Sequence, residues 1–340
     1  MRLCKAAVDA LGERKSVLMR LMCALVVAAS LMGASSACEQ CRSTPGDAAK
    51  GGGGGVTAGG NDLRYRWSFD TSFDYRNWDR IDADKAKAIN DSGSHVHSHI
   101  DDWFITSRIG YAVDRDISVG ISQNYRHLRT INTTELLLLG QHEYADGFGD
   151  IEVDFKFRIK EQKEDGFPVD LAFFVSVKPP TGQQSERSEL TGELFAAHDQ
   201  PSAGALNVTG GVSASKQWGA WGASGAAIFT YKSEGAQNFQ EGNTFRLTFS
   251  ASRELPWHPG GWKFYPTLGV QYLYEFHGKD RGAIDQDHGG KFISLVPSIV
   301  AKPLDRLTLS AGMTFPALQD YNGEHQRTDF GVMIGIGVRF

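Results

Sequence analysis

Cysteine is scarce in this chain of 340 residues: there are four, and two of them, Cys4 and Cys23, fall within the first 37 residues. Only Cys38 and Cys41 remain beyond that point, which excludes a disulfide framework as the source of stability. Long apolar runs are also missing after residue 37. The longest, Leu171 to Val177, is interrupted by Ser176 and is far shorter than the roughly 20 residues a membrane helix requires. Nor is there any basic excess. Formal charge is -5, and removing residues 1–37, with five basic and two acidic side chains, takes it to -8, which argues against nucleic acid as a partner. Finally, no recognisable catalytic motif is present. Ser185 and Ser188, with Glu186, Glu189 and His198 nearby in sequence, come nearest to a hydrolase set, but nothing frames them. The chain is expected to be no enzyme and to need no cofactor.

The N-terminus is informative. Arg14, Lys15 and Arg20 form a basic region, Leu21 to Ala34 an apolar core, and Ser35-Ser36-Ala37 a set of small residues suited to cleavage. Residues 1–37 are therefore expected to be an export signal, with Met19 as an alternative start. Cleavage after Ala37 would expose Cys38-Glu39-Gln40-Cys41, for which lipid attachment at Cys38 and a local disulfide, metal or redox role of the pair are competing readings. No His follows Cys41, so covalent haem attachment has no support. Residues 38–62, with the run Gly51 to Gly55, have the composition of a flexible linker.

From Leu63 onward the dominant signal is alternation with a period of two residues, the mark of a strand with two unlike faces. Tyr65, Trp67, Phe69, Phe73 and Tyr75 share one face, while Arg64, Arg66, Ser68, Asp70, Ser72 and Asp74 take the other. Twelve such runs occur, at 63–75, 103–113, 117–128, 149–160, 169–179, 205–217, 221–232, 243–254, 263–276, 291–302, 307–317 and 328–340. Each has the length of a tilted membrane strand, and short and long connections alternate between them as in outer-membrane barrels. Residues 63–340 are thus expected to form an all-β, antiparallel up-and-down barrel of about 12 strands, with both ends on the periplasmic side and Phe340 closing the last strand. The mean hydropathy of -0.31 hides this, because alternation averages apolar content away. Pro297 counts against the tenth run, since a closed barrel has no edge where a missing N–H is harmless.

In that arrangement apolar faces would meet outer-membrane lipid, and Trp67, Trp103, Trp218, Trp221, Trp257 and Trp262 fit interfacial girdles. Charged residues would point inward, since charge facing lipid costs a few kcal/mol. Lumen candidates are Arg64, Arg66, Asp70, Glu152, Asp154, Lys156, Arg158, Lys160 and Arg246. Two connections stand out. His95, His97 and His99 could offer three imidazoles to zinc, copper or nickel, although plain surface is the more common reading of such a cluster. Leu136 to Leu139 could fold into the barrel mouth or extend a hairpin.

Gly147-Phe148-Gly149-Asp150 leading into a strand, and Pro180-Thr181-Gly182 after the next one, carry a resemblance to the bacterial outer-membrane family of the MetA pathway of phenol degradation. Asn243-Thr244, Val296-Pro297-Ser298 and the terminal strand agree more loosely, so the similarity spans about Gly147 to Phe340. The resemblance implies a channel-like protein for small, often hydrophobic or aromatic compounds, with no catalytic residues. Its expected partners are membrane lipid, a small solute, and the barrel assembly machinery through the C-terminal strand. The alternatives are a non-conducting scaffold or sheath for a periplasmic redox partner, and an outer-membrane hydrolase.

Overall fold

The computed structural model describes residues 63–79, 98–131, 142–162, 167–189, 191–286, 288–322 and 326–340. The leader, Cys38 and Cys41, the Gly-rich stretch, His95, His97 and Leu136 to Leu139 lie outside the described residues.

The chain is all-β. In order come β1 (Trp67–Trp78), β2 (Ser98–Ala112), β3 (Ile117–Ile131), β4 (Glu143–Phe148), β5 (Glu152–Lys160), β6 (Asp170–Lys178), β7 (Asn207–Trp218) and β8 (Trp221–Lys232). There follow β9 (Phe239–Gln240), β10 (Thr244–Arg253), β11 (Lys263–Glu275), β12 (Gly278–Asp280), β13 (Ala283–Asp285), β14 (Gly290–Leu304), β15 (Leu307–Tyr321) and β16 (Thr328–Arg339). Strands β9, β12 and β13 form a small separate sheet; the others pair antiparallel into one closed ring. Its first and last strands zip together from Ser68 opposite Arg339 to Asn77 opposite Phe330. Below that ladder Trp67 and Phe340 exchange two backbone hydrogen bonds, each 2.9 Å. Because β4 and β5 pair with successive stretches of β3, they share one position in the wall, and the ring has twelve strands.

Sequence alternation decides which side chains face out. Phe69, Phe73, Ile105, Ile109, Ile121, Phe229, Phe249, Leu268, Ile334 and Ile336 are all exposed on the outer surface, where lipid replaces water. Trp67, Trp218, Trp221, Trp257 and Trp262 lie at the strand ends and turns of the end that holds the termini, forming the periplasmic girdle. Trp103 belongs to an outward aromatic row nearer the opposite end, with Phe73, Tyr125 and His127 as ring neighbours. The seventh tryptophan, Trp78, is buried and packs edge-on against His99.

One expected connection needs correction, and the proline of the tenth run is accommodated within the wall. The connection expected from Arg129 to Phe148 is partly strand, because β3 runs on to Ile131 and β4 returns beside it. Alternation persists there, with Tyr144 and Phe148 exposed and Glu143 and Ala145 buried, but its buried face is too mixed in chemistry to stand out. Pro297 does sit inside a strand. It keeps its place opposite Leu268 of β11, whereas pairing with β15 skips Val296 and Pro297 and is offset by a register shift at Ile293/Ser294. The wall thus absorbs the missing donor by a local lapse in one ladder.

The two faces of one strand should respond differently to charge. Phe249→Arg, near the middle of β10 and 60 % exposed to lipid, should destabilise the barrel by about 2–4 kcal/mol. Ser250→Arg, one residue on and facing the lumen, should cost far less; urea unfolding in lipid vesicles checks both.

Candidate functional site

The interior has two levels. At the outer end the segment 179–206, between β6 and β7, turns into the barrel mouth. Phe195 packs there with Leu128 and Ala145 of the inner wall, all three almost wholly buried. Arg126, on the inward face of β3, donates to the backbone oxygens of His198 at 2.9 Å and Gln200 at 3.0 Å. Gln200 works like a second backbone for the segment: its amide accepts from Glu186 N and donates to the carbonyls of Glu186 and Phe195. The long connection Pro180 to Gly204, which the alternation of short and long connections places outside the barrel, folds into its mouth instead. The segment's many polar residues satisfy one another and the wall, so they can enter a space from which bulk water is largely excluded.

The base of this plug is tied down by one carboxylate. Asp150 Oδ1 accepts from Thr181 N and Gly182 N, both at 2.9 Å, and from Ser202 Oγ at 2.6 Å. Thr181 Oγ1 in turn accepts from Ile151 N. The break between β4 and β5 exists where Asp150 leaves the ladder to hold both ends of the segment. A side chain on Gly182 would strike the backbone of Phe148 and Gly149, so glycine is required for this close approach. The two motifs Gly147 to Asp150 and Pro180 to Gly182, far apart in sequence, are thus one structural device.

Other contacts close the same end. His99 Nε2 lies 2.9 Å from Asp199 Oδ1, both residues being buried, and the side chain of Gln326 bonds the backbone N and O of His99. His99 is therefore an interior residue, which removes it from the plain-surface reading of the His95 to His99 segment. Lys232 and Glu241, both buried, pair at 2.8 Å and anchor the connection that carries β9. Of the hydrolase candidates, Ser188 donates to Glu143 Oε1 at 2.6 Å, whereas the His198 ring faces Phe239 and His288 and Ser185 is exposed. Among the described residues no group of three or more His, Cys, Asp or Glu side chains is placed to hold a metal.

Nearer the periplasm the inward face is mostly small. Gly110, Gly120, Gly211, Ser224, Ser250, Gly269, Ser298, Ser310, Gly335 and Gly337 line it by strand register. Against this lining stand charges. Arg108 binds Asp154 in a bidentate pair, at 2.8 and 2.7 Å, with Asp70 at 3.8 Å. Lys156, buried, follows Asp154 toward the periplasm, and Arg158 closes on Asp116 and Glu161. Glu152, Asp154, Lys156 and Arg158 share one face of β5, and Lys160 follows beyond a register shift. Arg246 is buried on the inward face of β10. Arg64 and Arg66 instead precede β1, exposed at the rim, where the Arg66 guanidinium meets Tyr111 Oη. Sequence reasoning omitted Arg108, Lys302 and Arg339 from this set. Each stands on the polar side of an alternating run, the same signal that selected Asp70.

A closed, antiparallel twelve-stranded barrel with an aromatic girdle and short turns at its periplasmic end is a bacterial outer-membrane barrel. Comparison with solved structures agrees. The COG4313 outer membrane channel from Pseudomonas putida F1 superposes with a TM-score of 0.57 at 10% identity, over 81% of this chain and 96% of that one. The KdgM porin (TM-score 0.42, 8% identity, 80% of this chain and 100% of that one) and the CymD monoaromatic hydrocarbon channel (0.41, 8%, 81% and 89%) are more distant. No family model and no curated protein matches the chain.

Asp150→Ala should loosen the plug by about 2 kcal/mol, the worth of a charge-assisted hydrogen-bond set at a loop base, with Asp150→Asn intermediate because Oδ1 still accepts. Trypsin added to intact cells should then cut at Arg187 faster in the Ala variant than in the parent.

Proposed function

We propose that this protein is a diffusion channel of the outer membrane for small solutes, gated at its outer end by the segment 179–206. The observation that carries the reading is the contrast between the two levels of the interior. The periplasmic level is walled mainly by Gly, Ser and Thr, with Arg108, Asp70 and Phe174 folded over the glycines, while the outer level is filled by a loop rather than by the wall itself.

The family resemblance suggests aromatic compounds as the solutes, and the lumen narrows that class. The Phe174 ring reaches over Gly211 on the inward face, opposite Lys156 in the register, so an aromatic ring and a polar lining stand together. Aromatic molecules bearing a polar group fit such a surface better than bare hydrocarbons, because they can hydrogen-bond to the Ser and Thr hydroxyls of the wall as well as pack against the ring.

Purified protein in a planar bilayer should give discrete current steps, and deletion of residues 185–200 should raise the step size without loss of heat-modifiable gel mobility. A folded barrel that stays silent with and without the deletion would overturn the channel reading.

A further inference from the structure

Arg108, Arg129, Arg158 and Lys232 each have a carboxylate on a neighbouring stretch of chain, respectively Asp154, Asp101, Asp116 and Glu241. Lys216 of β7 and Arg253 of β10 pair with no carboxylate among the described residues, although both are exposed on the face that meets lipid. The register sets them on two adjacent rows of that face. Trp218, Trp221 and Arg253 stand side by side across β7, β8 and β10, and two residues further into the membrane Lys216, Ala223 and Ala251 do the same. Both rows share the parity of Val212, Phe229 and Phe249, which are exposed to lipid. At a strand spacing of about 4.8 Å the two cations lie roughly 10 Å apart across the sheet, within the combined reach of two long side chains. The Arg253 guanidinium sits 5.1 Å over the Trp221 ring, which holds it at the level of the girdle.

The carboxylates of the same rim are turned elsewhere. Glu254 takes the inward parity, accepting from Tyr265 Oη at 3.0 Å with His258 at 3.4 Å. Asp170, opposite Ser215 in the register, accepts from Gln162 N, and Glu161 pairs with Arg158.

We infer that Lys216 and Arg253, flanked by Trp218 and Trp221, bind the phosphate of an anionic phospholipid of the periplasmic leaflet, whose upper acyl chain lies over Ala223 and Ala251. The inference concerns the outer wall and does not depend on whether the barrel conducts. An unpaired cation facing lipid costs little at the interface and more with depth, and a phosphodiester at that depth supplies both the missing charge and hydrogen-bond acceptors. The guanidinium fork and the ammonium are complementary donors for it. Phosphatidylethanolamine carries its own ammonium, which competes for its phosphate, so the site favours a headgroup with no cation, as in phosphatidylglycerol. Between the two cations the alanines keep the surface low enough for the glycerol and first methylenes to approach the wall.

The test is native mass spectrometry of the purified full-length protein in detergent, titrated with dioleoyl-phosphatidylglycerol and separately with dioleoyl-phosphatidylethanolamine. The parent should retain phosphatidylglycerol in preference, and added salt should weaken the binding. Lys216→Gln combined with Arg253→Gln should lower its affinity roughly thirty-fold, the loss of two cations acting at a membrane surface. The charge-preserving exchange Lys216→Arg with Arg253→Lys should keep most of it, and Lys291→Gln, an outward position near the opposite end of β14, should change nothing. Heat-modifiable gel mobility shows that each variant is folded, and should the double variant fail that check, Arg253→Gln alone must still weaken binding. A parent that holds both lipids equally, or a folded double variant that holds phosphatidylglycerol as the parent does, would overturn the inference and leave the two side chains merely reaching for interfacial water.

Discussion

Everything in this structure depends on the pairing of the first strand with the last. In hydrocarbon an N–H or C=O without a partner costs several kcal/mol, and a sheet with two open edges would present a full row of them. The ladder between β1 and β16, ended by the reciprocal bonds of Trp67 and Phe340, removes both edges at once. Once the ring is closed, alternation has only one meaning: the odd set of β1, Trp67 to Tyr75, faces lipid and the even set faces the lumen. The burial of Asp74 and Arg76, which would be untenable in an isolated sheet facing lipid, follows from that same closure.

Closure creates a second constraint, an interior too wide for twelve strands to fill with their own side chains. The protein answers differently at its two ends. At the outer end a chain segment enters and is held by Arg126, Asp150 and the His99–Asp199 pair, each of which reaches from the wall to the segment. At the periplasmic end the wall recedes into glycine and serine, and Asp70, Arg108 and Asp154 form a linked charged group across β1, β2 and β5. The break between β4 and β5 connects the two solutions: the wall gives up a short stretch of ladder so that Asp150 can turn and fix the plug.

The ring was largely legible in the sequence because a membrane strand has two faces in two solvents, and nothing later in folding overrides that pattern. All twelve runs correspond to wall strands, Pro297 included, and the inward position of Asp70, Asp154 and Lys156 follows from period alone. What could not be read is where a polar loop goes. Residues 179–206 carry many side chains that suit a wet surface, and only their mutual pairing, as between Gln200 and Glu186 or Ser202 and Asp150, makes burial affordable. That pairing is a property of three-dimensional approach, with no periodicity to announce it. The same limit hid β4, whose Glu143 is buried against Ser188 of the plug, and it hid the inward course of His99. Arg64 and Arg66 erred in the opposite direction, since period continues past the point at which the ladder begins.

The claim most open to direct attack is closure itself. Thr71 and Ile336 stand opposite one another across the seam between β1 and β16. With Thr71→Cys and Ile336→Cys introduced together, a short thiol-reactive crosslinker applied to outer membranes should join them within one chain and shift the denatured protein to a faster-migrating form. Efficient crosslinking of that pair, and little from Thr71→Cys paired with Leu247→Cys across the barrel, is the result a closed ring requires. Equal reaction of both pairs, or of neither while each cysteine is accessible, would contradict the ring and every inference drawn from its two faces.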